Sequence, residues 1–298
     1  MNEHTVTIGC PISNRKYLIN RYLNGLLNID YPKKRIKLYF LINNCTDSTD
    51  DELRIFKEKY KNEYLDIELE KYKMPYRKDM RHTKHRKEIY SRLSELRNHV
   101  LNTIQTDYFF SVDSDIIVKE NVLKELLNAN KDIIAATINN DKILRPYQQY
   151  PNIRTNLLIN NYYGKNKDKI QIKHYMDFPL DSIVEVDYTG AVYLMKKEVC
   201  KTVKYGYHKQ GEDIVFCLNA KEAGYKIFAH TGLWQEHIMC TYQNYCVANC
   251  CKNPCIHVDS RTKVYKYKYI DNVVTPDLIR CGKLSIGSKP LLDNYKIQ

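Results

Sequence analysis

The chain reads as an α/β protein, a mostly parallel, doubly wound sheet flanked by helices and followed by a cysteine-rich tail. Three observations predict this. Short apolar runs alternate with stretches of helical period from residue 5 to about 229, the pattern of right-handed crossover units. Polar loops close several of these runs, where open α/β sheets gather ligands. Six of the ten cysteines, Cys240, Cys246, Cys250, Cys251, Cys255 and Cys281, fall in the last quarter, where the patterning fades. With 298 residues the chain can hold one large domain and an appendage, expected over 1–240 and 241–298.

Thr5-Val6-Thr7-Ile8 opens a first strand over 5–10, and Pro11-Ile12-Ser13-Asn14-Arg15 turns it into a loop before the helical pattern of Tyr17 to Asn28. Ile36 to Ile42 is a second strand. It ends in Asn43-Asn44-Cys45-Thr46-Asp47-Ser48-Thr49, where Ser48 or Thr49 would cap the helix Asp50 to Tyr60. A third strand is expected over 65–70, an amphipathic helix over Ser91 to Gln105, and strands at Tyr108 to Val112 and Ile133 to Ile138. Residues 141–182 are rich in Tyr and Asn and lack a clean period, which suits acceptor-side elaboration. Val184 to Asp187 and Val192 to Met195 are strand-like, and a helix is expected over 197–204. Gly211-Glu212-Asp213 opens the helix Ile214 to Ala223, which Gly224 closes, and Tyr225 to Ala229 is a last short strand. From Cys240 onward no element is expected.

Asp113-Ser114-Asp115 carries the strongest chemical signal. It follows Tyr108-Phe109-Phe110-Ser111-Val112 and precedes Ile116-Ile117-Val118. In an extended chain residues two apart share a side, so both carboxylates can face one hard cation. Such an ion, commonly Mg²⁺ or Mn²⁺, keeps open positions that substrate phosphates fill. A strand ending in a solvated acidic turn would show the same residues. Glu212 and Asp213 lie at a helix N-terminus, where the macrodipole favours their ionised forms. An ionised carboxylate within reach of a hydroxyl is a general base; plain helix-end stabilisation is the other reading.

These pieces, in order, resemble the family 2 glycosyltransferases of the GT-A, Rossmann-like fold. The resemblance is carried by Pro11 to Arg15, Arg97-Asn98, Asp113-Ser114-Asp115 and Gly211-Glu212-Asp213-Ile214-Val215-Phe216 with Ala220 and Gly224-Tyr225-Lys226-Ile227. Asp30-Tyr31-Pro32-Lys33-Lys34-Arg35-Ile36-Lys37-Leu38 and Tyr108 to Ile134 are also similar to the GT-A modules of collagen galactosyltransferases and lysyl hydroxylases. The likeness covers roughly residues 5–240. It implies a metal-dependent hexosyltransferase that moves a sugar from a nucleotide-diphosphate-sugar, UDP-sugar favoured, to a hydroxyl of a glycan or protein, with inversion. It further implies donor contacts at Pro11, Ser13, Asn14, Arg15, Asn43, Asn44, Arg97, Asp113 and Ser114, and Mn²⁺ or Mg²⁺ at Asp113, Asp115 and His237. Asp213 would be the base, with Glu212 supporting it, and Gly190 and Trp234 would meet the acceptor. His230 competes with His237 for the third ligand position, and Asp47 substitutes for the acid that many members carry near Asn43-Asn44. A nucleotidyltransferase, or a non-catalytic GT-A module binding glycan or nucleic acid, remains an alternative.

The net charge of +12 favours anionic partners. The densest basic run, Lys71 to Lys87, would meet a donor or acidic acceptor, or stand as a solvated loop. No nucleic-acid partner is expected. Cys246-x3-Cys250 and Cys251-x3-Cys255 with His257 approach zinc-ligand spacing without a C-x-x-C pair, and reduced structural thiols are the alternative. No apolar stretch is long enough to cross a bilayer, and the N-terminus shows no signal-peptide core, so a cytoplasmic protein without a transmembrane segment is expected.

Overall fold

Continuous apolar runs, rather than alternating ones, mark strands covered on both faces. In the computed structural model they become β1 (Val6–Ile12) and β2 (Ile36–Asn43), which pair in parallel. β3 (Asp66–Tyr72) carries Asp66, Glu68 and Glu70 and pairs only with β2, as befits a charged edge strand. Residues 4–75, 86–138, 152, 179, 181–209 and 211–238 are described, together with the backbone of three strands between 255 and 277. Most of the basic run, residues 76–85, lies outside them.

The remaining strands of the first unit are β4 (Tyr108–Val112), β5 (Ile116–Ile117), β6 (Ile133–Ile138), β7 (Ile183–Val186), β8 (Val192–Lys196) and β9 (Ile227–His237). The order is β3-β2-β1-β4-β8-β6-β9-β5, with β7 also on β9. β1 to β4 run parallel, β8 is inserted antiparallel between β4 and β6, and β9 returns parallel to β6. The sheet is thus mostly parallel. Gly9 is obligatory at its centre, since a Cβ there would lie 1.9 Å from the Tyr39 carbonyl oxygen.

Among the described residues six α-helices flank the sheet: α1 (Ile19–Leu27), α2 (Thr49–Tyr60), α3 (Arg86–Thr103), α4 (Val122–Asn128), α5 (Lys197–Thr202) and α6 (Glu212–Glu222). α1 buries Ile19, Tyr22, Leu23 and Leu26, spaced by threes and fours. Leu96, Val100 and Leu101 of α3 share a core with Tyr39, Phe109, Tyr193 and Phe216. α6 ends as expected: Gly224 has φ +87°, its N–H bonds Lys221 O at 3.0 Å, and Tyr225 N–H bonds Ala220 O at 2.9 Å.

Several boundaries differ from expectation. β1 runs on through Pro11 and Ile12, paired with Leu41 and Ile42. Its pairing with β4 stops at Gly9, so Pro11 has a paired strand on one flank only and its missing N–H is tolerated. Neither Ser48 nor Thr49 caps α2 through its side chain; Asp47 Oδ1 accepts the Thr49 N–H at 3.1 Å, while Ser48 holds φ +62°. β9 is far longer than 225–229 and absorbs a register shift opposite Ala136 and Thr137.

A second unit, Ile238–Gln298, contains an antiparallel meander of β10 (Cys255–Val258), β11 (Val264–Ile270) and β12 (Val273–Asp277), where no element was expected. The alternation Tyr265-Lys266-Tyr267-Lys268-Tyr269 is the strand signal there. The zinc proposal falls on side chains outside the described residues. Among described residues Cys10, Cys45, Cys200 and Cys217 are free thiols, and no helix is long and apolar enough to cross a membrane.

Candidate active site

The loops after β1 and β2 are stitched together at the carboxyl end of the sheet. Asn14, at φ +52°, accepts the Thr46 N–H on Oδ1 at 2.8 Å. Arg15 N–H donates to Thr49 Oγ1 at 2.7 Å, and Lys16 N–H donates to Asp47 Oδ2 at 2.9 Å. Asn44, at φ +47°, donates from Nδ2 to Met74 O at 2.7 Å. Asn14 and Asn44 therefore shape these loops, whereas Asn43 Oδ1 is buried without a partner, an acceptor that a ligand N–H could satisfy. Pro11 lines a small internal cavity with Cys10 and Arg97, and Ser13 lies between Ile12 and Asn14, half-buried.

Asp113 and Asp115 are held by different arginines. The chain leaves β4 in a turn closed by Ile116 N–H to Asp113 O at 2.9 Å, so the extended geometry assumed from sequence does not apply. Arg97 Nη2 donates to both oxygens of Asp113 at 2.9 Å, and the Asp113 N–H is held by Ala191 O at 2.9 Å. Asp115 faces the rim, 3.3 Å from Arg15 Nη2, whose Nε donates to Ser114 Oγ at 3.0 Å.

Arg97 sits on the buried face of α3, where an unpaired charge would be prohibitive. Its Nε donates to Glu212 Oε1 at 2.9 Å, and its Cζ lies 5.6 Å from the centre of the Tyr205 ring. Burial pulls its pKa down, but Asp113, Asp213 and Glu212 raise it by more, leaving a fixed cation. These donors face carboxylates, not the diphosphate expected from sequence.

Asp213 follows Glu212 at the start of α6. Burial pushes its pKa well above the usual carboxylate value; Arg97 and a hydrogen bond from Tyr193 oppose this, while Glu212 and Asp113 add to it. The direction is opposite to the one expected from the helix dipole, because desolvation and two neighbouring acids outweigh a partial charge at a helix end. Oδ2 lies against Gly190, where a Cβ would come within 2.4 Å, and Oδ1 is buried without a partner. Gly190 thus belongs to the site as the residue that makes room for the carboxyl group.

β9 connects the core to this centre. His237 pairs with Ile116, the residue after Asp115, and its Nδ1 is buried without a partner. His230 pairs with Ala136, farther back along the sheet, so His237 is the better placed of the two. An orphaned imidazole nitrogen beside a partly exposed carboxylate fits a divalent ion in donor type. Still, no three His, Cys, Asp or Glu side chains form a metal cluster among the described residues, and Arg97 holds both oxygens of Asp113. Trp234 is half-buried opposite Thr137.

The family model described as Anp1 matches residues 1–201. The chain belongs to the Anp1 family. Procollagen-lysine,2-oxoglutarate 5-dioxygenase 2 of Homo sapiens is 26% identical over 229 residues, covering 74% of this Anp1-family chain and 28% of the relative. Procollagen galactosyltransferase 2 of Mus musculus is 21% identical over 235 residues, covering 75% and 37% respectively. The chain therefore spans well under two thirds of these curated relatives. The mannosyltransferase PcManGT of Pyrobaculum calidifontis, solved with GDP-Man and Mn²⁺, superposes with a TM-score of 0.50 at 14% identity, over 80% of this chain and 57% of that one. The fold is that of the GT-A glycosyltransferases.

Sequence reasoning passed over three residues of the Anp1-family site. Tyr193 and Tyr205 join hydroxyl to hydroxyl beside Asp213 and Arg97, and both read as ordinary core aromatics. Asn152, buried in the aperiodic stretch, donates to Ala136 O at 3.1 Å and Gly190 O at 2.9 Å and accepts from Ile138 N–H at 3.0 Å. It ties the Gly190 turn to the strand opposite Trp234.

Proposed function

We propose that this chain transfers a sugar from a nucleotide-diphosphate-sugar to a hydroxyl of a glycan or protein, inverting the anomeric centre, with Asp213 as general base. One observation carries the reading: the Asp213 carboxyl has one oxygen seated against Gly190 and the other buried and unpartnered, across Arg97 from Asp113. A carboxyl of raised pKa is a strong base once ionised. The acceptor hydroxyl gives its proton to Oδ1 as its oxygen forms a bond to the anomeric carbon. The bond to the diphosphate breaks on the opposite face, and the electron pair leaves with the phosphate oxygen.

Arg15 and Ser114 face the donor side, and Asn43 Oδ1 offers an acceptor to the nucleoside. Gly190 and Trp234 flank the acceptor side, linked through Asn152 to the end of β6. Mn²⁺ or Mg²⁺ held by Asp113, Asp115 and His237 would supply positive charge to the departing diphosphate. The PcManGT complex supports this donor chemistry by fold similarity.

The test is a screen of UDP-sugars and GDP-sugars for hydrolysis with and without Mn²⁺, which needs no acceptor. Free sugar and nucleoside diphosphate, lost on Asp213→Asn, are expected. Release of pyrophosphate would make the chain a nucleotidyltransferase, and no turnover of any donor would leave a binding module.

A further inference from the structure

We propose that Arg97 is a positioning residue that ties the Asp113 strand tip to the first turn of α6, fixing how far the base stands from the departing diphosphate. The inference rests on the transfer reaction proposed above. It departs from the simpler idea that Arg97 grips the donor.

A guanidinium presents its donors in one rigid plane, so two acceptors that it binds are fixed relative to each other. Arg97 binds Asp113 through Nη2 and Glu212 through Nε, each at 2.9 Å, and stacks on Tyr205. The side chains of Arg97 and Glu212 are only 8% and 6% exposed, so water does not compete effectively for either. Both anchors are fixed from behind. Ala191 O holds the Asp113 N–H at 2.9 Å, and Glu212 lies in α6 directly before Asp213. A movement of Glu212 therefore carries the base with it, and a movement of Asp113 carries the phosphate side. Lys in this place would keep the charge and lose the fork.

The experiment uses the full chain and the sugar nucleotide it hydrolyses fastest, comparing wild type with Arg97→Lys, Glu212→Ala and the double variant. The rate is read against the calorimetric Kd of the matching nucleoside diphosphate with Mn²⁺. Arg97→Lys should lower kcat about 100-fold, the scale of an ångström-sized misplacement, with Kd changed by less than about twofold. The double variant should be no slower than Arg97→Lys, because both changes cut the same tie. A weakened Kd with kcat retained would make Arg97 a donor ligand and overturn the proposal, as would an unchanged kcat or fully additive losses. If Arg97→Lys does not fold, Glu212→Ala decides: lost kcat with Kd intact supports the tie, and an unchanged kcat refutes it. A wild-type chain that turns over no sugar nucleotide overturns the transfer reading and this one together; an active wild type with an unaffected Arg97→Lys overturns this one alone.

Discussion

Asp113 and Asp115 are two residues apart and equally exposed, 26% and 24%, yet the arginines that hold them belong to different physical regimes. Asp113 shares a buried guanidinium with Glu212, and Arg97 is 8% exposed. Asp115 and its partner Arg15 are 24% and 22% exposed and meet at 3.3 Å. Buried ion pairs are costly to assemble and strongly destabilising to break, while exposed ones contribute little and rearrange readily. The inner half of the site is therefore built before a ligand arrives, and the rim can exchange partners when a charged ligand enters. In a transferase this divides the work: a rigid base, and an adaptable seat for the diphosphate.

The sharpest way to break this contrast is at the inner half. Asp213→Asn should reduce turnover about a thousandfold, the middle of the range for loss of a general base, with nucleoside-diphosphate affinity retained. Its effect on folding should depend on pH. The Asp213 pKa is raised in the folded state, so its contribution to stability is complete below the unfolded pKa and is lost as pH rises through the folded value. Asn carries no such dependence, so the variant should gain on wild type between pH 5 and pH 8 in urea unfolding. An equal gap at both values would show that the carboxyl is not desolvated. The acid limb of the rate profile should likewise lie above the ordinary carboxylate range, since the base must lose its proton first. Gly190→Ala comes next: a Cβ 2.4 Å from Asp213 Oδ2 must push the carboxyl aside. A loss in kcat of about 100-fold is expected for a displacement of that kind, read at saturating donor.

At the rim the expected effects are smaller. Arg15→Ala should raise the donor KM about tenfold through loss of one charge-assisted contact. The change in unfolding free energy should stay at about 1 kcal/mol because the pair still reaches solvent. A large stability loss here would erase the distinction between the halves.

How much of this was visible in the chain follows the same division. The alternating strands and helices of the first unit, and the order of its polar loops, are written in local periodicity and could be read directly. His237 was singled out by its place in the motif order, and its backbone pairs with Ile116, the residue after Asp115. The direction of each carboxylate was not legible, because the turn after Val112 is closed by a backbone hydrogen bond that no residue type announces. Arg97 was named from its place in the motif order, while its carboxylate partners, Asp113 and Glu212, come from distant elements that only the fold brings to it. Asn152 had no signal, since a single polar residue in an aperiodic segment reveals its burial only when the backbone is folded around it. The meander of the second unit was hidden by attention to cysteine spacing, although its Tyr-Lys alternation was in plain view.

The smallest effect tests how the rim is held. Asp47 Oδ1 accepts the Thr49 N–H and Oδ2 accepts the Lys16 N–H, so one half-buried carboxylate caps α2 and fastens the loop that carries Arg15. Asp47→Ala should cost about 1 kcal/mol in urea unfolding, the usual loss for a helix cap. Because Arg15 N–H rests on Thr49 Oγ1, the donor KM should rise with the stability loss while kcat holds. Asp47→Asn keeps an acceptor for one of the two N–H groups and should fall between wild type and Ala. If kcat fell instead, the rim and the base would be one mechanical unit, and the contrast between Arg97 and Arg15 would describe exposure without describing function.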